Sequence, residues 1–218
     1  MNKSLPVLII PVLNRYDLLD ALLDSINYPV DNIVVIDNGG KYSRNQNNLT
    51  ILNMPNNIGV ASSWNLGIKC FPEADYWTFS AIDVILKEDT IQKTALYSKR
   101  GVMNISNYGF SYFSIGADFL EEVGLFDENF FPAYYEDEDF EKRARVMGLG
   151  NRIVYPDIII DLYDTCTTAK SEDWMWKEKE RTDIINKKYI ESKFKNNNFN
   201  YNKISISMRN NNIWRNFE

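Results

Sequence analysis

Leu5-Pro-Val-Leu-Ile-Ile-Pro-Val-Leu-Asn-Arg15 is the stretch on which the fold turns. Its first six residues form an apolar run without alternation, the pattern of a strand buried on both faces. Leu18, Leu19, Leu22, Leu23 and Ile26 then recur at helical spacing, with Asp17 among the polar residues at the start. The same succession repeats downstream. Ile33-Val-Val-Ile36 reads as a second buried strand, ending at Asp37-Asn-Gly-Gly40. A third strand covers Leu49–Met54, and Pro55-Asn-Asn57 then leads into a helix over Ala61–Cys70. Asp75–Phe79 gives a fourth strand, and Asp89 can cap a helix running toward Ser98. This alternation predicts an α/β fold with a mostly parallel central sheet flanked by helices.

The second half is less regular. Val102–Ser106 and Tyr108–Ser114 read as extended, and Phe119–Gly124 and Glu138–Gly148 as helices, with Gly148 suited to a C′ position. Ile153–Tyr155 and Ile158–Ile160 read as strands. Glu172–Phe194 is a long charged helix on which Trp174 and Trp176 are expected as packing anchors in preference to platforms for a sugar. In the Asn-rich end, Ile204, Ile206 and Met208 alternate as one more strand would. No repeat and no long linker divides the chain. One domain over residues 1–168 is expected, with 169–218 as a C-terminal helical appendage packed on it.

With 218 residues, 44% of them hydrophobic and 25% charged, the chain can bury a sizeable core. The net charge of -6 is uneven: residues 170–218 hold 11 basic and 7 acidic side chains, residues 1–169 hold 13 and 23. An acidic body argues against nucleic acid as a partner, which calls for a basic face. No apolar run approaches a transmembrane segment, and Pro6 and Pro11 interrupt anything like a signal peptide. Cys70 and Cys166 make no disulfide framework, so a reducing, cytoplasmic setting is expected. Histidine is absent, which removes Ser-His-Asp and Cys-His hydrolases and any imidazole proton transfer. Proton transfers then fall to carboxylates, Lys, Tyr or Cys.

Ligands of open α/β sheets bind beyond the carboxyl ends of the strands. That rule selects the loops Pro11–Arg15, Asp37–Gly40, Asn56–Gly59 and Ser80–Val84, which carry Arg15, Asp37, Asn38, Asn57 and Asp83. Asp37 has two readings, turn former before Gly-Gly or ligand contact. Asp83 lies between apolar segments and needs a partner if buried. The densest cluster is Tyr134-Tyr-Glu-Asp-Glu-Asp-Phe-Glu141. Four consecutive acids at a helix start can simply complement its dipole. Packed together, they also raise one another's pKa, which makes a carboxylate a usable base. Phe130, Phe131, Tyr134 and Tyr135 add an aromatic wall on which a sugar ring could stack. Arg143, four residues after Asp139, suits an intrahelical ion pair and equally an orienting role toward the acidic cluster.

In this order the pieces resemble a family 2-type glycosyltransferase with the GT-A (nucleotide-diphospho-sugar transferase) fold, over roughly residues 5–195. Pro11-Val-Leu-Asn-Arg15 is similar to the family's opening Pro-x-x-Asn-Arg turn, and Ile33-Val-Val-Ile-Asp-Asn-Gly39 to its strand ending in a nucleobase-reading Asp. Asn57-Ile-Gly-Val-Ala61 and Trp64-Asn-Leu-Gly67 match an Asn-x-Gly-x-Ala…Asn-x-Gly stretch. Gly124-Leu-Phe-Asp-Glu-Asn-Phe-Phe131, then Tyr135-Glu-Asp-Glu-Asp139 and Arg143-Ala-Arg145, resemble the rhamnosyltransferase-like members.

The resemblance implies a nucleotide-sugar half over about 1–87 and an acceptor half over about 88–168. Pro11, Val12, Leu13, Arg15, Asp37, Asn38, Asn57, Asn65, Ala81 and Ile82 would then surround a UDP- or dTDP-hexose, and Tyr134 and Tyr135 a glycan acceptor. Asp137 is the implied general base of an inverting transfer, with Glu136 and Asp139 as second choices for that role or as orienters. The family's Asp-x-Asp metal motif is Ser80-Ala-Ile-Asp83 here, with Ala81 in place of the first Asp. Asp161 is the best fit to a late metal ligand that many members supply as His. Mn²⁺ or Mg²⁺ is the implied cofactor, held by Asp83 and Asp161. Two other classes compete: a non-catalytic binder of nucleotide sugar or glycan, favoured by the incomplete motif, and a sugar-nucleotidyltransferase, disfavoured because Pro11–Arg15 lacks glycine. The C-terminal helix is expected to cover the sheet or to close over the acceptor site, and one domain of a longer multi-transferase polypeptide is a further option.

Overall fold

The computed structural model describes residues 4–195. The chain opens with β1 (Leu5–Val12), α1 (Tyr16–Asp24), β2 (Val30–Asp37), β3 (Leu49–Asn53) and α2 (Val60–Cys70). It continues through β4 (Tyr76–Ser80), β5 (Val84–Leu86), α3 (Thr90–Tyr97), β6 (Met103–Ser106) and β7 (Gly109–Gly116). The remainder is α4 (Ala117–Val123), α5 (Glu136–Val146), β8 (Ile153–Val154), β9 (Ile160–Leu162), α6 (Thr167–Lys170) and α7 (Asp173–Lys195).

Seven strands form one sheet in the order β3-β2-β1-β4-β7-β6-β8, and β5 and β9 form a separate antiparallel pair. β3, β2, β1 and β4 run parallel, with β7 antiparallel to β4 and to β6. β1 is central and fully covered, as its unbroken apolar run requires. Val7 and Ile9 point into the layer with Trp64 of α2, Phe119 of α4 and Phe140 of α5. Leu8 and Ile10 point to the opposite layer with Leu19 and Leu22 of α1 and Ile91 of α3. Each such aliphatic side chain taken out of water contributes roughly 1.5–3 kcal/mol. Gly67 lets α2 lie directly on β1, because a Cβ there would come within 2.6 Å of the Ile9 side chain.

The expected elements are present with boundary shifts of a few residues. β7 continues to Gly116, two residues beyond the run read as extended, and α5 starts two residues earlier than read, at Glu136. The proposed strand at Ile204–Met208 lies outside the described residues. α5 ends as Gly148 suggested: the Leu149 N–H reaches the Ala144 carbonyl and the Gly148 N–H that of Arg145, with Gly148 at φ +80°.

One buried ion network ties the second half together. Arg143 bonds Asp139 (2.8 Å) and donates to the carbonyls of Val123 and Leu125, both at 2.8 Å. Lys193 of α7 meets Asp139 at 2.6 Å and Asp127 at 2.6 Å. The second half of α7 is docked through this pair, through Tyr189 on Asp127, and through Asn186, which donates to the carbonyls of Ala133 and Tyr134. Trp174 and Trp176 do not act as packing anchors: Trp174 is 62% exposed. Burial is supplied instead by Thr182, Asn186 and Ile190.

Removing one partner of a buried pair strands the other charge, at about 3–5 kcal/mol. Arg143→Met is therefore expected to lower the urea unfolding free energy by that amount. A loss below about 1 kcal/mol would show that the network does not hold α5.

Candidate active site

A cavity of about 800 Å³ opens at the carboxyl ends of the parallel strands. Each of the four loops selected from the sequence reaches it: Pro11 and Val12 at the end of β1 with Leu13 after it, Asn38 after β2, Asn57 and Gly59 before α2, and Ser80 at the end of β4 with Ala81–Asp83 after it. Tyr134, Glu136 and Asp137 at the start of α5 line the same cavity. Gly59 is needed there. Its φ is +83°, and a Cβ would come within 2.9 Å of the Pro132 carbonyl, the group that accepts the Val60 N–H.

The acidic block divides its work. Asp139 turns inward to Arg143 and Lys193, fully buried, and Glu138 is exposed. Glu136 and Asp137 face the cavity. Tyr134 and Tyr135 enter the helix at φ +76° and +74°, a left-handed pair that costs about 1–3 kcal/mol per residue and recurs at functional sites. Burial pushes the Glu136 carboxyl up to about 8, with the Asp137 charge adding to it. Its Oε2 has no hydrogen-bond partner among the described residues. Asp137 is also raised, chiefly by burial, although the Glu138 N–H (2.9 Å) partly offsets this. Asp83, 9% exposed, is raised by burial too, and Thr167 Oγ1 donates to its Oδ2 at 3.0 Å. That hydroxyl is the partner a buried carboxylate in this position required.

Six residues expected at the site do not line this cavity, each for a physical reason. Asp37 is fully buried, and its carboxylate accepts from Tyr16 Oη, from Gly39 N–H, and from the N–H groups of Lys41 and Tyr42. Those four bonds fill its lone pairs, so it holds the turn after β2. Arg15 sits at φ +55° and pairs with Asp17 at 2.7 Å on the surface. Asn65 bonds the backbone of Phe126 and the carboxylate of Glu128, stitching α2 to that loop. Tyr135 supplies backbone at the α5 start, Asp139 is in the ion network, and Asp161 on β9 is paired with Lys87. Asn38, though on the wall, bonds Ser63 and the Ile58 N–H, and Asn57 accepts the Gly59 N–H.

These placements bear on a metal. With Ala81 in place of an acid and Asp161 held by Lys87, Asp83 is the carboxylate left at the end of β4. No group of three His, Cys, Asp or Glu suited to a metal ion occurs among the described residues. Mg²⁺-type ions are often held by one or two carboxylates together with substrate phosphates. Asp83 fits that limited role, as the anchor for an ion shared with a diphosphate.

The sequence reading named only part of the remaining wall, the C-terminal helix as one that covers the sheet or closes over the acceptor site. Tyr108–Ser111 at the β6–β7 turn, Thr167 and Thr168 of α6, and a face of α7 all border the cavity. On α7, Trp174, Glu178, Arg181 and Ile185 border it along one helical stripe, whereas the sequence pointed to Trp174, Trp176, Ile184, Ile185 and Tyr189 as the contacts of this helix.

No protein-family model and no curated protein matches the sequence. Solved structures do. S. aureus TarS aligns at TM-score 0.55 and 16% identity, over 71% of this chain and 35% of that one. TarS 1-349 in complex with UDP-GlcNAc gives TM-score 0.53 and 16% identity, over 69% and 55%. GalNAc-T7 with UDP, GalNAc and Mn²⁺ gives 0.50 and 9%, over 74% and 43%. The chain thus spans between about a third and just over half of the length of these proteins. Its fold is that of the GT-A glycosyltransferases. Among the described residues no helix is long and apolar enough to cross a membrane.

Glu136 has a measurable signature. Its folded pKa lies above the 4.5 of the free side chain, so the folded state keeps a proton that the unfolded chain releases. Stability conferred by the neutral form is complete below about 4.5 and is lost as pH rises through about 8. Glu136→Gln removes this loss. The melting temperature of the variant relative to the parent should climb between these two values and level off above. A difference that stays constant with pH would contradict a neutral, buried Glu136.

Proposed function

We propose that the chain is an inverting glycosyltransferase moving a hexose from a UDP- or dTDP-linked donor to a hydroxyl of a glycan acceptor. The observation that carries this reading is that Asp83 and Asp137, from opposite halves of the chain, line one cavity at the carboxyl ends of the parallel strands. The fold supports it, since the TarS and GalNAc-T7 structures that align with the chain hold UDP-GlcNAc and UDP. The rhamnosyltransferase-like motifs favour a dTDP- or UDP-linked hexose as the donor.

On this reading the nucleobase rests against Pro11–Leu13 beside Asn38 and Asn57, and the diphosphate lies toward Ala81–Asp83. The acceptor enters on the side of Tyr134. Asp137 takes the proton of the acceptor hydroxyl as that oxygen attacks the anomeric carbon. The bond between that carbon and the diphosphate oxygen breaks, and the nucleoside diphosphate departs with the electron pair. The raised pKa of Asp137 suits it to this proton transfer. Glu136 is unsuited to the same step because it holds its own proton near neutrality, and it stands as a hydrogen-bond donor beside the base. A divalent cation anchored on Asp83 would neutralise charge on the departing diphosphate.

The absent first carboxylate at Ala81 and the capture of Asp161 by Lys87 favour a second reading, a protein that binds nucleotide sugar without turnover. Both readings predict UDP binding, and Asp137 separates them. Asp137→Asn should retain UDP affinity while sugar transfer, or hydrolysis of UDP-hexose to UDP, falls about 10²–10⁴-fold. Activity within a few-fold of the parent rejects Asp137 as the base. A parent that binds UDP without releasing sugar from any donor supports the non-catalytic reading.

A further inference from the structure

The wall opposite the sheet is built from a surface that a folded helix would ordinarily bury or make polar. Trp174, Glu178, Arg181 and Ile185 lie at i, i+4, i+7 and i+11 on α7, one stripe of the helix, and all border the cavity. They remain open to solvent: Trp174 is 62% and Ile185 52% exposed, and the Arg181 side chain is 70% exposed. The neighbouring stripe of Thr182, Asn186 and Ile190 is the one that docks α7 on the body. Packing therefore does not account for the indole at the cavity mouth.

We infer that this stripe is a subsite for a pyranose ring of the acceptor, with Trp174 as its stacking platform; the inference rests on the glycosyl-transfer reading above. The indole N–H is already donated to Glu172, which ties down the polar edge of the ring and leaves its faces for apolar contact. A pyranose offers a matching surface, a face of C–H groups edged by hydroxyls. Aromatic faces with a few convergent polar groups are how binding sites fix such ligands. One turn along, Glu178 can accept from those hydroxyls and Arg181 can donate to them. Their mutual contact is only 3.7 Å, so neither is locked by the other. Asp137 borders the same cavity, so a hydroxyl of a ring on this wall has a base to approach. Tyr135, the expected second aromatic contact, does not border the cavity, and the α7 stripe takes its place.

The test uses the full chain with UDP bound. Its five tryptophan indole N–H signals are followed by NMR, and the signal lost in Trp174→Phe identifies Trp174. Methyl pyranosides of the common hexoses, N-acetylhexosamines and 6-deoxyhexoses are then titrated at millimolar concentration. At least one should shift the Trp174 signal. Trp174→Leu should weaken that pyranoside about tenfold and Trp174→Phe by much less, with UDP affinity unchanged in both. The subsite is overturned if UDP binds yet no pyranoside moves the Trp174 signal, or if Trp174→Leu binds the pyranoside as the parent does. A shift produced by lipid vesicles and by no pyranoside also overturns it. If the parent fails to bind UDP, the donor reading falls, and this subsite falls with it.

Discussion

A buried guanidinium sets the geometry on which the candidate site depends. Arg143 reaches out of α5 to the carbonyls of Val123 at the end of α4 and Leu125 just beyond it, and back to Asp139, and Lys193 closes the far side from α7. Three segments distant in sequence are locked at one point. The rotation of α5 about its axis is fixed by that lock. With Asp139 held inward, Glu136 and Asp137, on other sides of the first turn, are presented to the cavity. The left-handed backbone at Tyr134 and Tyr135 is tolerated because Asn186 of α7 binds the Ala133 and Tyr134 carbonyls that flank it.

The same lock explains how four adjacent acids avoid disrupting the fold. Simultaneous ionisation at such spacing is unfavourable away from water. Asp139 is neutralised by two cations, Glu138 is solvated, and Glu136 keeps its proton to about pH 8. That leaves Asp137 as the member that can be charged in the cavity with the least opposition from its neighbours. On the proposed reading this is the condition for a base in a chain without histidine.

Much of the fold was legible because its signals are local. Unalternated runs such as Leu5–Ile10 and Ile33–Ile36 belong to strands covered on both faces, and both are interior strands of the sheet. The loops bordering the cavity followed from the rule about strand ends. What the sequence left hidden was the orientation of individual carboxylates. Asp37 follows a strand and resembles a ligand contact, yet its four donors come from residues 16, 39, 41 and 42. Asp161 is neutralised by Lys87, 74 positions away across the β5–β9 pair. Neither partnership leaves a trace in spacing. Trp174 and Trp176 were expected to be buried from their apolar bulk, but α7 docks through Thr182, Asn186 and Ile190, a face too polar for hydropathy to reveal.

The central claim is that a carboxylate from each half of the chain serves one bound donor. A crystal structure with an intact nucleotide-diphosphate hexose tests it most directly. The account predicts the diphosphate beside Asp83 and the anomeric carbon turned toward Asp137, with room between them for an incoming hydroxyl. A donor bound with its sugar pointing away from α5, or seated outside the cavity, would contradict it.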